Sequence, residues 1–444
     1  MTTTTTALPA VPANTTGTGK CKLFMVALIV VVLAEAIGPS NFKLGPGKVV
    51  LLPMLWALLI AATWGIVQRY VPAPVRITAS LQSYAGGLLN AGLLLFIVKL
   101  GLTVGGTLPL VRQAGWALLF QEFGHAFGTL ALGLPLALLL GVKREAVGAT
   151  FSVGREGNLV IISEKYGMAS PEGRGVLAEY ITGTVLGALF IALLAGFVTS
   201  LHIFDPRSLA MGAGVGSGSM MAAAIGAIAA QQPAAMVPEL TAIAAASNLM
   251  TLVLGFYFTL FLSLPTASWL YGKLEPVLGR FSKRKSAQAV ATAAGAEVEI
   301  RDLPFADKAI SWALMAVGAM IGNWLSFQVQ PVQSLIGMAI IIVIVSIVEV
   351  AKRLMPKMPL VLVLSIVATA VGVPGLFPFS DTVIALTGKL NFLAFTTPVL
   401  AMAGFSAAKD LPLFRQLGWR IVVVSLSATA GTFLGATLIA ELFH

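Results

Sequence analysis

Gly148-Ala-Thr-Phe-Ser-Val-Gly-Arg-Glu-Gly-Asn-Leu-Val-Ile-Ile-Ser163 lies among apolar runs and is long enough to cross a bilayer, yet its middle reads Gly154-Arg155-Glu156-Gly157-Asn158. An arginine at bilayer depth costs about 2.5–3.5 kcal/mol even on the gentlest scale, so such residues face a cavity and a partner. Paired glycines allow a helix to break, and the freed amides and carbonyls then need protein, water or ligand. A second interrupted segment follows, Leu209-Ala-Met-Gly-Ala-Gly-Val-Gly-Ser-Gly-Ser-Met-Met-Ala222. Two Gly-broken membrane segments point to the substrate site of a secondary transporter.

The rest of the composition fits that setting. Of 444 residues 57% are hydrophobic and 10% charged, with a mean hydropathy of +0.92. Soluble domains carry about 25% charged residues, so the expected class is an all-α integral membrane protein with the lipid bilayer as its first partner. A net charge of +10 would suggest nucleic acid in a soluble protein. Here the cations cluster in short loops, where they orient the chain, and no nucleic-acid partner is expected. Cys21 is the only cysteine, and His125, His202 and His444 are scattered, so neither a disulfide framework nor a metal or other cofactor is expected. No Ser/His/Asp or His-Glu-x-x-His pattern supports an enzyme, and no ATP-binding motif supports a primary pump.

Residues 1–19, rich in Thr, Pro, Ala and Gly, read as a disordered tail. Lys20 and Lys22 precede the apolar run Leu23–Leu33, closed by Ala34-Glu35-Ala36. A signal peptide has this form, but a retained first helix suits the polytopic pattern that follows. Apolar segments then run over 48–67, 82–104, 115–140, 146–165, 175–201, 207–230, 238–270, 307–327, 333–351, 358–373, 392–406 and 419–442. With each broken segment counted once, about thirteen transmembrane segments are expected; 376–388 is too short and polar to add. Residues 20–270 form an N-terminal membrane half holding both breaks, 271–306 a cytoplasmic linker, and 307–444 a C-terminal half. A cytoplasmic N-terminus leaves twenty cations inside and seven outside, with Arg155 in the membrane, in the sense of the positive-inside rule.

Leu108-Pro-Leu-Val-Arg-Gln-Ala-Gly-Trp116 recurs as Leu411-Pro-Leu-Phe-Arg-Gln-Leu-Gly-Trp419. At the same offset Gly101 matches Gly404 and Gly128-Thr129 matches Gly431-Thr432, and Asn90 corresponds to Asn391 after a short gap. This reads as a duplication whose copies lie on opposite faces, an inverted repeat of the kind secondary transporters use. Each nonapeptide describes a short amphipathic piece along the interface with its Trp as anchor. The second copy ends the chain, so the counterparts of 146–201 are expected in 207–270, a circularly permuted arrangement.

Arg155 and Glu156 read either as a mutually neutralising interfacial turn or as a cavity-facing pair, Arg155 meeting an anion and Glu156 carrying a proton or cation. Gly154 and Gly157 open the break, and Asn158, Thr150 and Ser152 offer neutral hydrogen bonds. At the second break the glycines read as close helix packing, or, with Gly216, Ser217 and Ser219 together, as a polar break. Glu122 and His125 share a helix face, as a buried structural pair or as a proton relay. Glu179 and Asn248 lie inside membrane segments and are candidates to point at the breaks. Glu35 and Glu349 lie near helix ends and are expected at the interface.

These features resemble the broad class of bile-acid/sodium symporters, 2-hydroxycarboxylate transporters, bacterial lysine exporters and cation–proton antiporters. Gly101-Leu-Thr-Val-Gly-Gly-Thr-Leu-Pro-Leu-Val-Arg is the connector, Gly148–Ser163 the first broken helix, and Gly212–Met220 with Asn248 the second. The chain also resembles a bacterial polytopic family of unknown function. The resemblance implies two broken helices in a core moving against a scaffold, in the bacterial cytoplasmic membrane, with a homodimer among the assemblies allowed. Arg-Glu at the first break departs from the bile-acid pattern and from sodium coupling. The expected function is alternating-access transport of a small organic anion such as a carboxylate, with a proton as co-substrate. A cation/proton antiporter or exporter on the same fold and a non-transporting membrane protein are the alternatives.

Overall fold

Without a hydrophobic force between helices in lipid, the helices that meet are those with small residues facing one another. The computed structural model describes residues 17–443 except 45–46, 107, 154–155, 168–169, 282–302, 356–357, 359 and 417. The chain opens with α1 (Gly17–Ile37), a hairpin of β1 (Ser40–Leu44) and β2 (Gly47–Leu51), α2 (Pro53–Ile66), α3 (Ala79–Gly106) and α4 (Leu108–Leu139). Short helices α5 (Glu145–Thr150) and α6 (Glu156–Lys165) follow. Next α7 (Pro171–Thr182) continues through a π-helical turn, Gly183–Gly187, into α8 (Ala188–Ser200). After α9 (Pro206–Ala213) and α10 (Gly218–Ala229), α11 (Val237–Phe258) passes through a second π turn, Thr259–Ser263, into α12 (Leu264–Leu278). The last part holds α13 (Phe305–Phe327), α14 (Pro331–Leu354), α15 (Leu360–Val371), α16 (Ser380–Gly388), α17 (Phe392–Gln416) and α18 (Trp419–Glu441). Seven described helices are long and apolar enough to cross a membrane. This is a multi-pass, almost entirely helical membrane protein.

The centre is α4 packed antiparallel on α18. A Cβ on Gly128 would fall on the carbonyl of Gly431, and one on Gly431 on the carbonyl of Gly128. Gly124 and Gly435 make the same mutual contact, and Thr129 Oγ1 is hydrogen-bonded to Thr432 Oγ1 between them. Two further seams resemble each other in detail. Gly101 on α3 meets the Ser365 carbonyl, the Ala368 methyl and the Thr369 amide of α15. Gly404 on α17 meets the Leu58 carbonyl, the Ala61 methyl and the Ala62 amide of α2. Gly115 (φ 47°) and Gly418 (φ 74°) both turn left-handed, each just before an exposed tryptophan, Trp116 or Trp419.

Both breaks form, but neither segment runs straight through. Arg144, just before α5, pairs with Glu172 at the start of α7, and Glu145 pairs with Arg174, so α5 and α7 begin at the same end. Only five residues, 166–170, separate α6 from α7, with Gly167 N bonded to the Ile162 carbonyl and Ser170 N to the Gly167 carbonyl. An uninterrupted 145–165 helix would end about 30 Å from its start, so the segment bends at the break and α6 packs back against α7. The second segment repeats this. Arg207 at the start of α9 pairs with Glu239 at the start of α11. Gln231, just past α10, donates to the Gly196 carbonyl near the end of α8, the helix that leads into α9. The two turn-backs come from opposite ends of the central pair. Thr150 reaches Gly133, near the end of α4, whereas the Asp205 amide bonds Glu441 at the end of α18. The expected count of thirteen crossings is not borne out.

Glu35 and Glu349, near the ends of α1 and α14, are both buried within the protein. Glu349 accepts from Lys308 at 2.8 Å, whereas Glu35 is held by the hydroxyls of Thr397 and Ser326.

Gly128→Val forces a side chain into the backbone of α18, an overpacking cost of at least about 1–3 kcal/mol. We expect a melting temperature lowered by several degrees in detergent, or loss from the membrane. Gly272→Ala, at a position with open space around its Cβ, should melt as the parent does. Equal melting of both variants would show that the α4–α18 contact does not hold the core.

Candidate functional site

At the first break, α5 ends on Thr150, whose hydroxyl donates back to the Ala146 carbonyl at 2.8 Å. A backbone that leaves the helix frees carbonyls, and the one at Phe151 is taken by the Ser263 hydroxyl from the second π turn. Thr150 and Ser152 are buried. Gly154 and Arg155 lie outside the described residues. Glu156 and Gly157 belong to the first turn of α6, but their side chains also lie outside the description. Asn158, in the same turn, is 4% exposed, and its Nδ2 has no hydrogen-bond partner among the described residues. A buried amide left without an acceptor costs about 1–3 kcal/mol.

The base of this turn-back is charged. The crossed pairs Arg144–Glu172 at 2.6 Å and Arg174–Glu145 at 2.8 Å join α5 to α7. Gly148 and Gly175 bring the two backbones together just above, since a Cβ on either would meet the other helix's carbonyl. The sequence reading missed this clamp. Its signal was an Arg-Glu and a Glu-Gly-Arg placed at two neighbouring helix starts.

The second break spans 214–217, with Gly216 at φ 79°. Asn248 of α11 donates from Nδ2 to the Gly214 carbonyl at 2.7 Å and reaches the Gly216 carbonyl at 3.5 Å. Ser247 beside it donates to the Met211 carbonyl at 2.8 Å. Ser217 caps α10, its Oγ accepting from the Met220 amide and lying 3.1 Å from Ser219 Oγ. The α10 start faces α3, where a Cβ on Gly218 would meet only Leu93 and Phe96 at 3.6 Å or more. Asn90, one turn before Leu93 in the middle of α3, is exposed. The sequence reading used Asn90 only to align the repeat.

Glu122 is 1% exposed, and its Oε1 accepts from Gln121 Nε2 at 2.8 Å and from Thr251 Oγ1. Thr251 lies one turn beyond Ser247 and Asn248, so Glu122 is tied to the helix that holds the second break. His125 is buried one turn along α4, where its carbonyl accepts from Thr129 at 2.5 Å. Glu179 is buried on α7, the helix against α5. Asn248, Ser217, Ser219 and Gly216 are thus brought together, and Glu122 is joined to them through Thr251. No group of three or more metal-ligating side chains occurs among the described residues.

A family model described as "Protein of unknown function (DUF3100)" matches residues 32–273, more than half of the chain. The chain belongs to this family. No curated protein and no solved structure matches it. The DUF3100 match takes in both breaks and ends inside α12.

Asn248→Ala removes the donor from two carbonyls of the break. We expect faster maleimide labelling of a Ser217→Cys reporter in a Cys21→Ala background, together with a loss of about 1–3 kcal/mol in stability. Unchanged labelling would mean that the glycines and Ser247 hold the turn without Asn248.

Proposed function

We propose that this protein is a secondary transporter working by alternating access, with a small organic anion such as a carboxylate as substrate. The observation that carries the reading is the pair of glycine-broken turn-backs approaching the α4–α18 centre from opposite ends. Each presents the N-terminus of its longer helix, α6 or α10, at the break. A helix N-terminus acts as about half a positive charge, and amides freed in this way bind anions. At the second break Asn248 takes up the opposing carbonyls, leaving Ser217, Ser219 and the α10 amides. Arg155 adds a full charge at the first, where Gly154, Glu156, Gly157 and Asn158 complete the proposed contact set. Glu122, with His125 and Glu179, is the proposed proton path. The same buried Glu122, one turn from the second break, also favours a second reading in which a cation or proton is the cargo.

Inverted repeats fit the paired seams, because Gly101 and Gly404 meet matching atoms, and because repeat-equivalent Gly128–Gly431 and Thr129–Thr432 touch each other. The two π turns, each in the helix after a break, support the permuted correspondence of 207–270 with 146–201. With both broken segments turning back, eleven crossings replace thirteen. Lys165 and Arg174 then move to the cytoplasmic side and Arg207 leaves it, giving twenty-one cations inside against six outside. The charge bias therefore strengthens on the revised topology.

Single cysteines introduced after Cys21→Ala test it. Position 170 should label from the cytoplasmic side and 205 from the other, while 107 and 410 should lie on opposite faces. Labelling of 170 from outside would restore the straight crossing.

In proteoliposomes, Arg155→Ala is expected to abolish counterflow of the carboxylates the parent carries while protein abundance stays near normal. Glu156→Gln should keep exchange and lose its pH dependence. Loss of all binding in Glu156→Gln, with the parent transporting cations, would favour the second reading.

A further inference from the structure

Away from both breaks, a groove of about 580 Å³ runs along the outer face of α2. Its floor is Trp56, Ile60, Thr63, Trp64 and Val67, at spacings that share one helix face, and the loop after α2 closes one end with Tyr70 and Val75. Both tryptophan N–H groups are used inside the protein, Trp56 on Ser40 Oγ and Trp64 on the Val75 carbonyl, so their rings offer apolar surface. From Trp56 to Val67 the helix rises about 16 Å, close to half of a hydrocarbon core of about 30 Å. The groove is therefore about one leaflet deep.

Its closed end is cationic. Arg69 lies 4.7 Å over the Tyr70 ring, Arg76 Nε donates to the Val71 carbonyl, and Lys22 Nζ donates to the Ala73 carbonyl. None of these three has a carboxylate partner among the described residues. The sequence carries no Asp or Glu from 36 to 121. We propose that this groove is a binding site for one anionic phospholipid of the cytoplasmic leaflet, its acyl chain along α2 and its phosphate at Arg69, Arg76 and Lys22. Aromatic surface for the chain and unpaired cations at headgroup depth are the two complementarities such a lipid requires. The site stands apart from the breaks and does not depend on the transport reading.

The test uses the full chain, purified in detergent and delipidated, with phosphatidylglycerol and phosphatidylethanolamine as probes. Phosphatidylglycerol is expected to raise the melting temperature by several degrees and to remain bound in native mass spectra, with phosphatidylethanolamine much weaker. Arg69→Ala/Arg76→Ala should remove that preference, and Thr63→Trp, which fills the groove, should remove retention of both lipids while the parent fold persists. Equal binding of the two lipids, or a preference surviving in the double arginine variant, overturns the proposal. So does a Leu59→Cys variant in a Cys21→Ala background that forms disulfide-linked dimers in membranes, since the face would then be covered by a second copy.

Discussion

Where α4 crosses α18, two backbones touch through four glycines, and each carbonyl occupies the space a neighbouring Cβ would need. Dispersion falls steeply with separation, so contact at this range gives both helices an attraction that larger side chains would forbid. It also fixes where everything else sits. Thr150 of the first turn-back and Ala428 of α18 both lie against Gly133 on one side of the crossing, and Gly212 of the second lies against Phe433 and Thr437 on the other. Moving the crossing by one turn would shift both breaks by about 5 Å.

Once the breaks are placed, they must be satisfied. In lipid a free carbonyl costs several kcal/mol, and the protein answers from helices on the far side of each turn. The second π turn supplies Ser263 to the Phe151 carbonyl, and α11 supplies Ser247 and Asn248 to the carbonyls of 211, 214 and 216. A π turn shifts the side chains that follow it relative to those before it, which lets a single long helix serve Met211 at one depth and Phe151 at another. At the start of α10 the Ser217 hydroxyl accepts from the Met220 amide, and a Cβ on Gly218 would be in ordinary contact with Leu93 and Phe96.

The sequence disclosed the breaks because glycine density and charged residues inside apolar runs have few other meanings in a membrane. It disclosed the paired helices because Gly128-Thr129 and Gly431-Thr432 recur at a fixed offset. Direction was hidden. A broken run of twenty residues looks alike whether it passes through or folds back, and the difference lies in long-range partners such as Arg207 with Glu239. The Arg144–Glu172 and Arg174–Glu145 clamp was hidden for the same reason, since pairing across 28 residues leaves no local pattern. The partners of Glu35 and Glu349 on α13 were hidden as well, since Ser326 and Lys308 lie far away in the sequence.

Those two glutamates show how one helix can be held by unequal chemistry at its two ends. Each lies near the C-terminal end of its helix, α1 or α14, and each reaches an opposite end of α13. Glu349 meets Lys308, so charge is balanced by charge and the contact is a lock. Glu35 meets only the hydroxyls of Thr397 and Ser326, with Gly322 clearing the space beside it. Both hydroxyls donate to the Glu35 carboxyl oxygens, one to each. One end of α13 is therefore pinned by an ion pair and the other by hydroxyl hydrogen bonds. Removing one partner of a buried ion pair leaves an uncompensated charge, whereas a hydroxyl can turn to a new acceptor, so any motion of α1 against α13 and α17 would begin at the Glu35 end.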